Sequence, residues 1–253
     1  MRSFYLAAGG TIFTFFMTAL GAAFVFCFRS SISEKTNRLC LGFAGGVMSA
    51  AAVFSLILPA KAQLEASGGA AWLVITLGFA LGAAVIALLD WMLARFRRAR
   101  PQDDAARRRT LLFTAVTLHN IPEGMAVGLA FALAGGSAAA VAAACVLALG
   151  IGVQNLPEGA AISMPLRQSG MSRVRSFLLG AASGAVEPLA GMLVVLFAAL
   201  IAPSMPFLMA FAAGAMMQVV FACMLPEAAE EGWGTAAAVF GFALMMALDV
   251  ALG

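Results

Sequence analysis

Long apolar runs broken by short polar connections dominate this chain. Eight runs separate, over residues 4–28, 39–60, 71–94, 110–134, 138–164, 176–202, 206–228 and 233–253. Each reaches the roughly 20 residues that an α-helix needs to cross a hydrocarbon core about 30 Å thick. In lipid the backbone must satisfy its own hydrogen bonds, which leaves helices or a closed barrel. A barrel needs short segments of alternating polarity, and these runs do not alternate. The pattern therefore predicts an all-α polytopic membrane protein with eight transmembrane helices, residues 1–253 forming a single transmembrane domain. Alanine and glycine are frequent throughout, which favours close helix packing where lipid supplies no hydrophobic drive. The first run, about 25 residues long, exceeds the apolar core of a cleavable signal.

Composition agrees with this pattern. The chain is 63% hydrophobic and 11% charged, with a mean hydropathy of +0.99, more apolar surface than a soluble domain can cover. Cys27, Cys40, Cys145 and Cys223 lie in or beside apolar runs without CxxC spacing. They read as packing residues, not as a disulfide framework or a thiolate zinc site.

Cationic residues cluster in three connections. Arg29, Lys35 and Arg38 follow the first helix; Arg97, Arg98, Arg100, Arg107, Arg108 and Arg109 follow the third; Arg167, Arg173 and Arg175 follow the fifth. The opposite connections read as Lys61 with Glu65, "AGGS", "PSMP", and the acidic Glu227, Glu230 and Glu231. Positive loops stay cytoplasmic. The loops after helices 1, 3 and 5 are therefore expected inside a cell (inner) membrane, with both termini outside. Residues 95–109 then form a basic cytoplasmic loop beside anionic headgroups. Its partner is membrane lipid, not nucleic acid.

Ionisable residues inside a membrane are expensive and usually functional. Those here are Asp90, His119, Glu123, Glu158, Glu187 and Asp249, and His119 is the one histidine of the chain. Two stretches echo each other: "TLHNIPEGMAVG" (Thr117–Gly128) and "GVQNLPEGAAIS" (Gly152–Ser163). On a helix His119 and Glu123 are four apart, as are Gln154 and Glu158, so each pair shares a face. Asn120 and Asn155 stand three residues before the same glutamates. Pro122 and Pro157 lack an N–H and crowd the carbonyls of Leu118 and Val153, which predicts a bend in each helix. Gly124 and Gly159 are expected to add local freedom. Glu187 precedes Pro188 and should also sit at an irregularity.

Brought together, these helices gather three carboxylates, one imidazole and three side-chain amides, with no intramembrane lysine or arginine to balance them. A divalent cation is the natural counter-charge. Oxygen donors with one nitrogen suit Zn²⁺, Fe²⁺ or Mn²⁺ better than Cu⁺. Asp90 and Asp249 lie near helix ends, within reach of the interface. Ser55, Gln218 and Cys223 read as packing or helix–helix hydrogen bonds, and the methionines as lipid-facing or core filler.

A second echo links distant parts of the chain. Phe43, Gly46 and Met48 align with Phe211, Gly214 and Met216 at a constant offset. Helices 1–3 and 6–8 then read as repeats, and three spans per repeat make the copies inverted.

The motifs "HNIPEG" on the fourth helix, "QNLPEG" on the fifth and "VEP" on the sixth resemble those of the ZIP (Zrt/Irt-like) family of divalent metal transporters. "GIGVQNLPEGAAISMPLR" is most similar to its GufA-type bacterial branch, and the likeness covers essentially the whole chain. The resemblance implies transport of zinc, with iron, manganese and cadmium close behind, into the cytoplasm by alternating access. It implies a 3+2+3 arrangement, helices 4 and 5 standing between the inverted repeats, and a homodimer in many members. It also implies two adjacent metal positions. His119, Glu123, Gln154 and Glu158 form one; Asn120, Glu123, Asn155, Glu158 and Glu187 form the other, with Glu123 and Glu158 bridging. The metal is then cargo, and neither a catalytic cofactor nor an enzymatic activity is expected.

This chain departs from many members in three places. Ala222 and Cys223 stand before the "PE" of helix 7 where acidic or histidine residues are usual, the loop after helix 3 lacks histidines, and Asn155 stands where some relatives carry aspartate. A channel-like divalent cation pore is an alternative compatible with the same residues. An intramembrane metallohydrolase would want several histidines, as in HExxH, and the chain has one. No GxxxxGK[ST] loop is present, so any pumping is secondary.

Overall fold

The computed structural model describes residues 2–28, 32–97, 104–135, 137–230 and 232–252. Eight long helices follow one another: α1 (Arg2–Cys27) and α2 (Glu34–Ala66), α3 (Ala71–Arg97), α4 (Asp104–Leu133), α5 (Ala138–Gln168), α6 (Arg173–Leu196) and α7 (Ala198–Ala228), and α8 (Gly232–Leu252). Seven of them are long and apolar enough to cross a membrane. The other, α4, is the polar one, because it carries His119, Asn120 and Glu123 and begins in a charged stretch.

Helix extends into several of the expected connections. Lys35 and Arg38 belong to the start of α2, and Arg173 and Arg175 to the start of α6. Of the basic stretch 95–109, helix takes both ends, and residues 98–103 lie outside the described residues, as does Arg29. The turn between α5 and α6 closes through Gly170, whose φ of +90° is left-handed backbone that suits glycine.

The prolines leave different marks on these helices. α5 runs through Pro157, and α4 through Pro122, as unbroken helix. Instead α2 widens into a π-helical turn at Ala52–Ile57, just before Pro59, and α7 does the same at Val220–Met224, just before Pro226. A proline leaves the carbonyl four residues back without its donor, and a wider turn accommodates the mismatch. α6 breaks at Ala185, between Arg173–Gly184 and Val186–Leu196. Pro188 removes the donor for Gly184, so the irregularity expected beside Glu187 is there.

The helices sort into two groups. α1, α4, α5 and α6 pack on one another, while α2 pairs with α8 and α3 with α7. The last two pairs are the same crossing made twice. A Cβ on Gly46 would collide with the carbonyl oxygen of Ala238, and one on Gly214 with that of Phe79. Likewise Gly82 abuts the carbonyl of Phe211, and Gly241 that of Phe43. Gly214 follows Gly46 by 168 residues, as Phe211 follows Phe43; Gly241 follows Gly82 by 159, as Ala238 follows Phe79. Each contact therefore has its counterpart in the other repeat. The 3+2+3 inverted arrangement is written into these glycines, which let two backbones touch.

Candidate metal site

All seven candidate residues are fully buried: His119, Asn120 and Glu123 on α4, Gln154, Asn155 and Glu158 on α5, and Glu187 on α6. The two motifs face and cross-link. His119 Nε2 lies 3.1 Å from Glu158 Oε2, and Gln154 Nε2 donates to Glu123 Oε1. One ligand atom from each of His119, Glu123 and Glu158 fits within a span of 4.8 Å.

Gly124 and Gly159 serve this meeting by closeness, not by the freedom expected of them. Both lie inside unbroken helix. A Cβ on Gly124 would collide with the Glu187 backbone, and one on Gly159 with the Thr18 carbonyl. Any side chain there would push α6 from α4, or α1 from α5.

A second cluster adjoins the first. Asn155 Nδ2 stands 2.9 and 3.0 Å from the two carboxylate oxygens of Glu187, and 3.3 Å from the Thr14 carbonyl. Thr18 Oγ1 donates to Glu187 Oε1 at 3.3 Å. Asn120 Nδ2 donates to the Ser183 carbonyl at 3.1 Å. Thr14 and Thr18 were not singled out in the sequence. Their signal was a stripe, Thr11, Thr14 and Thr18, spaced three and four along an otherwise apolar α1.

Six buried atoms here have no hydrogen-bond partner: His119 Nδ1, Asn120 Oδ1, Glu123 Oε2, Gln154 Oε1, Asn155 Oδ1 and Glu158 Oε1. An orphaned buried polar atom costs about 1–3 kcal/mol. Six in one place make a candidate donor set. Among the described residues no lysine or arginine is buried, and the buried ionisable groups are His119, Glu123, Glu158 and Glu187 alone. A divalent cation of borderline character fits such a set.

Apolar packing flanks the site on one side, and a polar cavity lies on the other. Ala7, Val127, Phe131, Ala144, Ala148 and Ile151 form an apolar plug towards the end where α1 begins and α4 finishes. At the opposite end lies a cavity of about 460 Å³ whose lining includes Asn37, Arg38, Arg109, Cys223, Glu227 and Glu230. Leu112 also lines it, seven residues before His119. That is two helical turns, or about 10 Å along α4.

This cavity corrects the sequence reading of the acidic connection. Asn37 Nδ2 donates to Glu227 Oε1 at 2.9 Å, and Arg38 pairs with Glu230. Glu227 and Glu230 thus lie at the same end as the basic starts of α2 and α6, not opposite them. Seven crossings separate that connection from the N-terminus, an odd number like the one that places the loop after α1. Ser55 Oγ donates to Asp249 Oδ1 at 2.8 Å, tying α2 to α8 away from the donor set.

Comparison with known proteins supplies the context for this geometry. The profile of the family described as ZIP zinc transporter matches residues 104–249. The chain is 35% identical to zinc transporter ZIP11 of Homo sapiens, over 99% of this chain and 98% of that protein. It is 38% identical to zinc transporter ZIPB of Bordetella bronchiseptica, over 98% and 82%. It is 33% identical to zinc transporter GufA of Myxococcus xanthus, over 93% and 94%.

Proposed function

This chain belongs to the ZIP zinc transporter family, and we propose that it carries divalent transition-metal ions into the cytoplasm, zinc first, with iron, manganese and cadmium as further cargo. The observation that carries this reading is the buried donor set. His119, Glu123 and Glu158 place ligand atoms within 4.8 Å of one another, Gln154 adds an unpartnered oxygen, and no buried cationic side chain balances the carboxylates among the described residues. Asn120, Asn155 and Glu187 adjoin this position as the second half of the site. Oxygen donors with one imidazole bind Zn²⁺, Fe²⁺ and Mn²⁺ without strong discrimination.

The cargo is passed by alternating access. The apolar plug on one side and the polar cavity on the other favour a carrier with discrete states over a continuous pore. α1, α4, α5 and α6 carry the donors and shift as a unit against α2, α3, α7 and α8. The interhelical side-chain hydrogen bonds named above all fall within one group or the other. The seam between the groups is apolar, with Leu41, Ala44 and Met48 of α2 and Ala212, Ala213 and Met216 of α7 in one cluster with Leu112 and Ala115 of α4 and Ala161 and Ile162 of α5. Methionine adapts its shape at low cost, which suits a moving contact. By the positive-inside rule the basic starts of α2 and α6 favour a cytoplasmic cavity end in the cell membrane, with both termini outside.

Uptake of Zn²⁺, Mn²⁺ and Fe²⁺ into proteoliposomes tests this reading. Wild-type uptake should saturate, and Glu123→Ala and His119→Ala should each lower it at least tenfold. Equal uptake by Glu123→Ala would mean that the paired motifs are structural, and the reading would fall.

A further inference from the structure

Both halves of the donor set leave buried atoms without a partner, Asn120 Oδ1 and Asn155 Oδ1 of the second half among them, but Glu187 stands apart. His119, Glu123, Gln154 and Glu158 each keep a nitrogen or oxygen without a partner. Glu187 keeps none. Asn155 Nδ2 stands 2.9 and 3.0 Å from its two oxygens, almost equidistant, and Thr18 Oγ1 adds a donor to Oε1.

The orientation of the Asn155 amide follows from chemistry. Every neighbour of that nitrogen, both Glu187 oxygens and the Thr14 carbonyl, is an acceptor. The –NH₂ end, not the oxygen, must face them. The amide therefore sits in the bite of the Glu187 carboxylate, where a cation held by both oxygens would lie. Zinc bound there would stand about 2.0–2.2 Å from each oxygen, too close to Nδ2 for both to fit. Aspartate at this position could not act so: it has no N–H to donate, and two facing carboxylates repel until a proton or a metal cation stands between them.

We propose that Asn155 takes the place of the second cation, so that the central site of this chain holds one divalent ion. On this proposal Glu187 is a positioning residue, not a ligand. It fixes Asn155, and Thr14 and Thr18 of α1 hold the pair. The inference rests on the transport function proposed above and narrows it to a single cargo ion.

The test counts ions. Full-length protein in detergent is dialysed against buffered Zn²⁺, and bound metal per chain is measured by elemental mass spectrometry. The Glu123→Ala/Glu158→Ala variant sets the background from surface carboxylates. Wild type should bind one zinc above that background, and Asn155→Asp should bind two. A gained ion is a readout that a merely structural role of residue 155 would not produce. Two zinc ions in wild type would overturn the inference while leaving the transport reading intact. No zinc above background would overturn both. Should Asn155→Asp not fold, the wild-type count alone still decides; should it fold and bind one, the amide is not what closes the second position.

Discussion

His119 on α4 and Glu158 on α5 meet at 3.1 Å, the nitrogen of one motif against the carboxylate of the other. Gln154 and Glu123 repeat the exchange in the opposite direction. Neither helix presents a complete donor set by itself. The register between α4 and α5 therefore decides whether a site exists at all.

Among the candidate donors His119 alone carries an imidazole, the donor whose borderline character would favour zinc over harder ions. In His119→Gln an oxygen donor is kept and the nitrogen lost, reproducing on α4 what Gln154 is on α5. Zinc affinity should fall by about ten- to a hundred-fold, and manganese affinity by less, because oxygen ligands suit Mn²⁺. Competition between Zn²⁺ and Mn²⁺ in proteoliposome uptake measures the ratio. An unchanged ratio would remove His119 from the ligand set.

Gly124 and Gly159 hold the neighbouring helices at backbone contact. Alanine at either position meets backbone, which cannot rotate aside. Overpacking costs about 1–3 kcal/mol, and here it also spreads α6 from α4 or α1 from α5. Gly124→Ala and Gly159→Ala should lower both the thermal midpoint and zinc uptake. Gly9, in α1, has nothing within 4 Å of an added Cβ. Gly9→Ala should be neutral or gain up to about 1 kcal/mol of helix propensity. Thermal unfolding in detergent compares all three.

How much of this was legible follows from sequence distance. Eight helices could be read because an apolar run of sufficient length is a local signal. That these candidate residues would be gathered in one place could be read because His119 with Glu123, and Gln154 with Glu158, are neighbours on single helices, and because the motif occurs twice. Thr18 could not be tied to Glu187 in this way, since 169 residues separate them and a threonine in an apolar helix is ordinarily bonded to its own backbone. The reason for Gly124 and Gly159 was hidden similarly: a glycine beside a proline suggests flexibility until the backbone opposite is seen. The π-helical turns fell on Pro59 and Pro226, while Pro122 and Pro157 left their helices unbroken. The presence of a proline does not by itself say which helix widens into a π turn.

Sidedness can be tested at exposed turns. Ser169 lies at the cavity end of α5, and Ser67 at the other end of α2, and both are exposed. In a background without native cysteines, Ser169→Cys should react with a membrane-impermeant maleimide only in inverted vesicles. Ser67→Cys should react only in right-side-out ones. The reverse pattern would place both termini in the cytoplasm.

Relative motion of the two helix groups gives the sharpest mechanical test. Cys223 on α7, Leu112 on α4 and Leu41 on α2 all line the same cavity, but Leu112 belongs to the donor-bearing group and the other two do not. With Cys27, Cys40 and Cys145 replaced by serine, Leu112→Cys leaves one thiol on each side of the seam. A bifunctional methanethiosulfonate that bridges it to Cys223 should stop zinc uptake, and reductant should restore it. The same reagent bridging Leu41→Cys to Cys223 joins two helices of one group, so uptake should continue. Both thiol pairs line the same cavity and carry the same reagent, so blockage of the cavity alone would stop both. Transport that survives the Leu112–Cys223 bridge would show that the groups need not move, and the pore reading would take the place of the carrier.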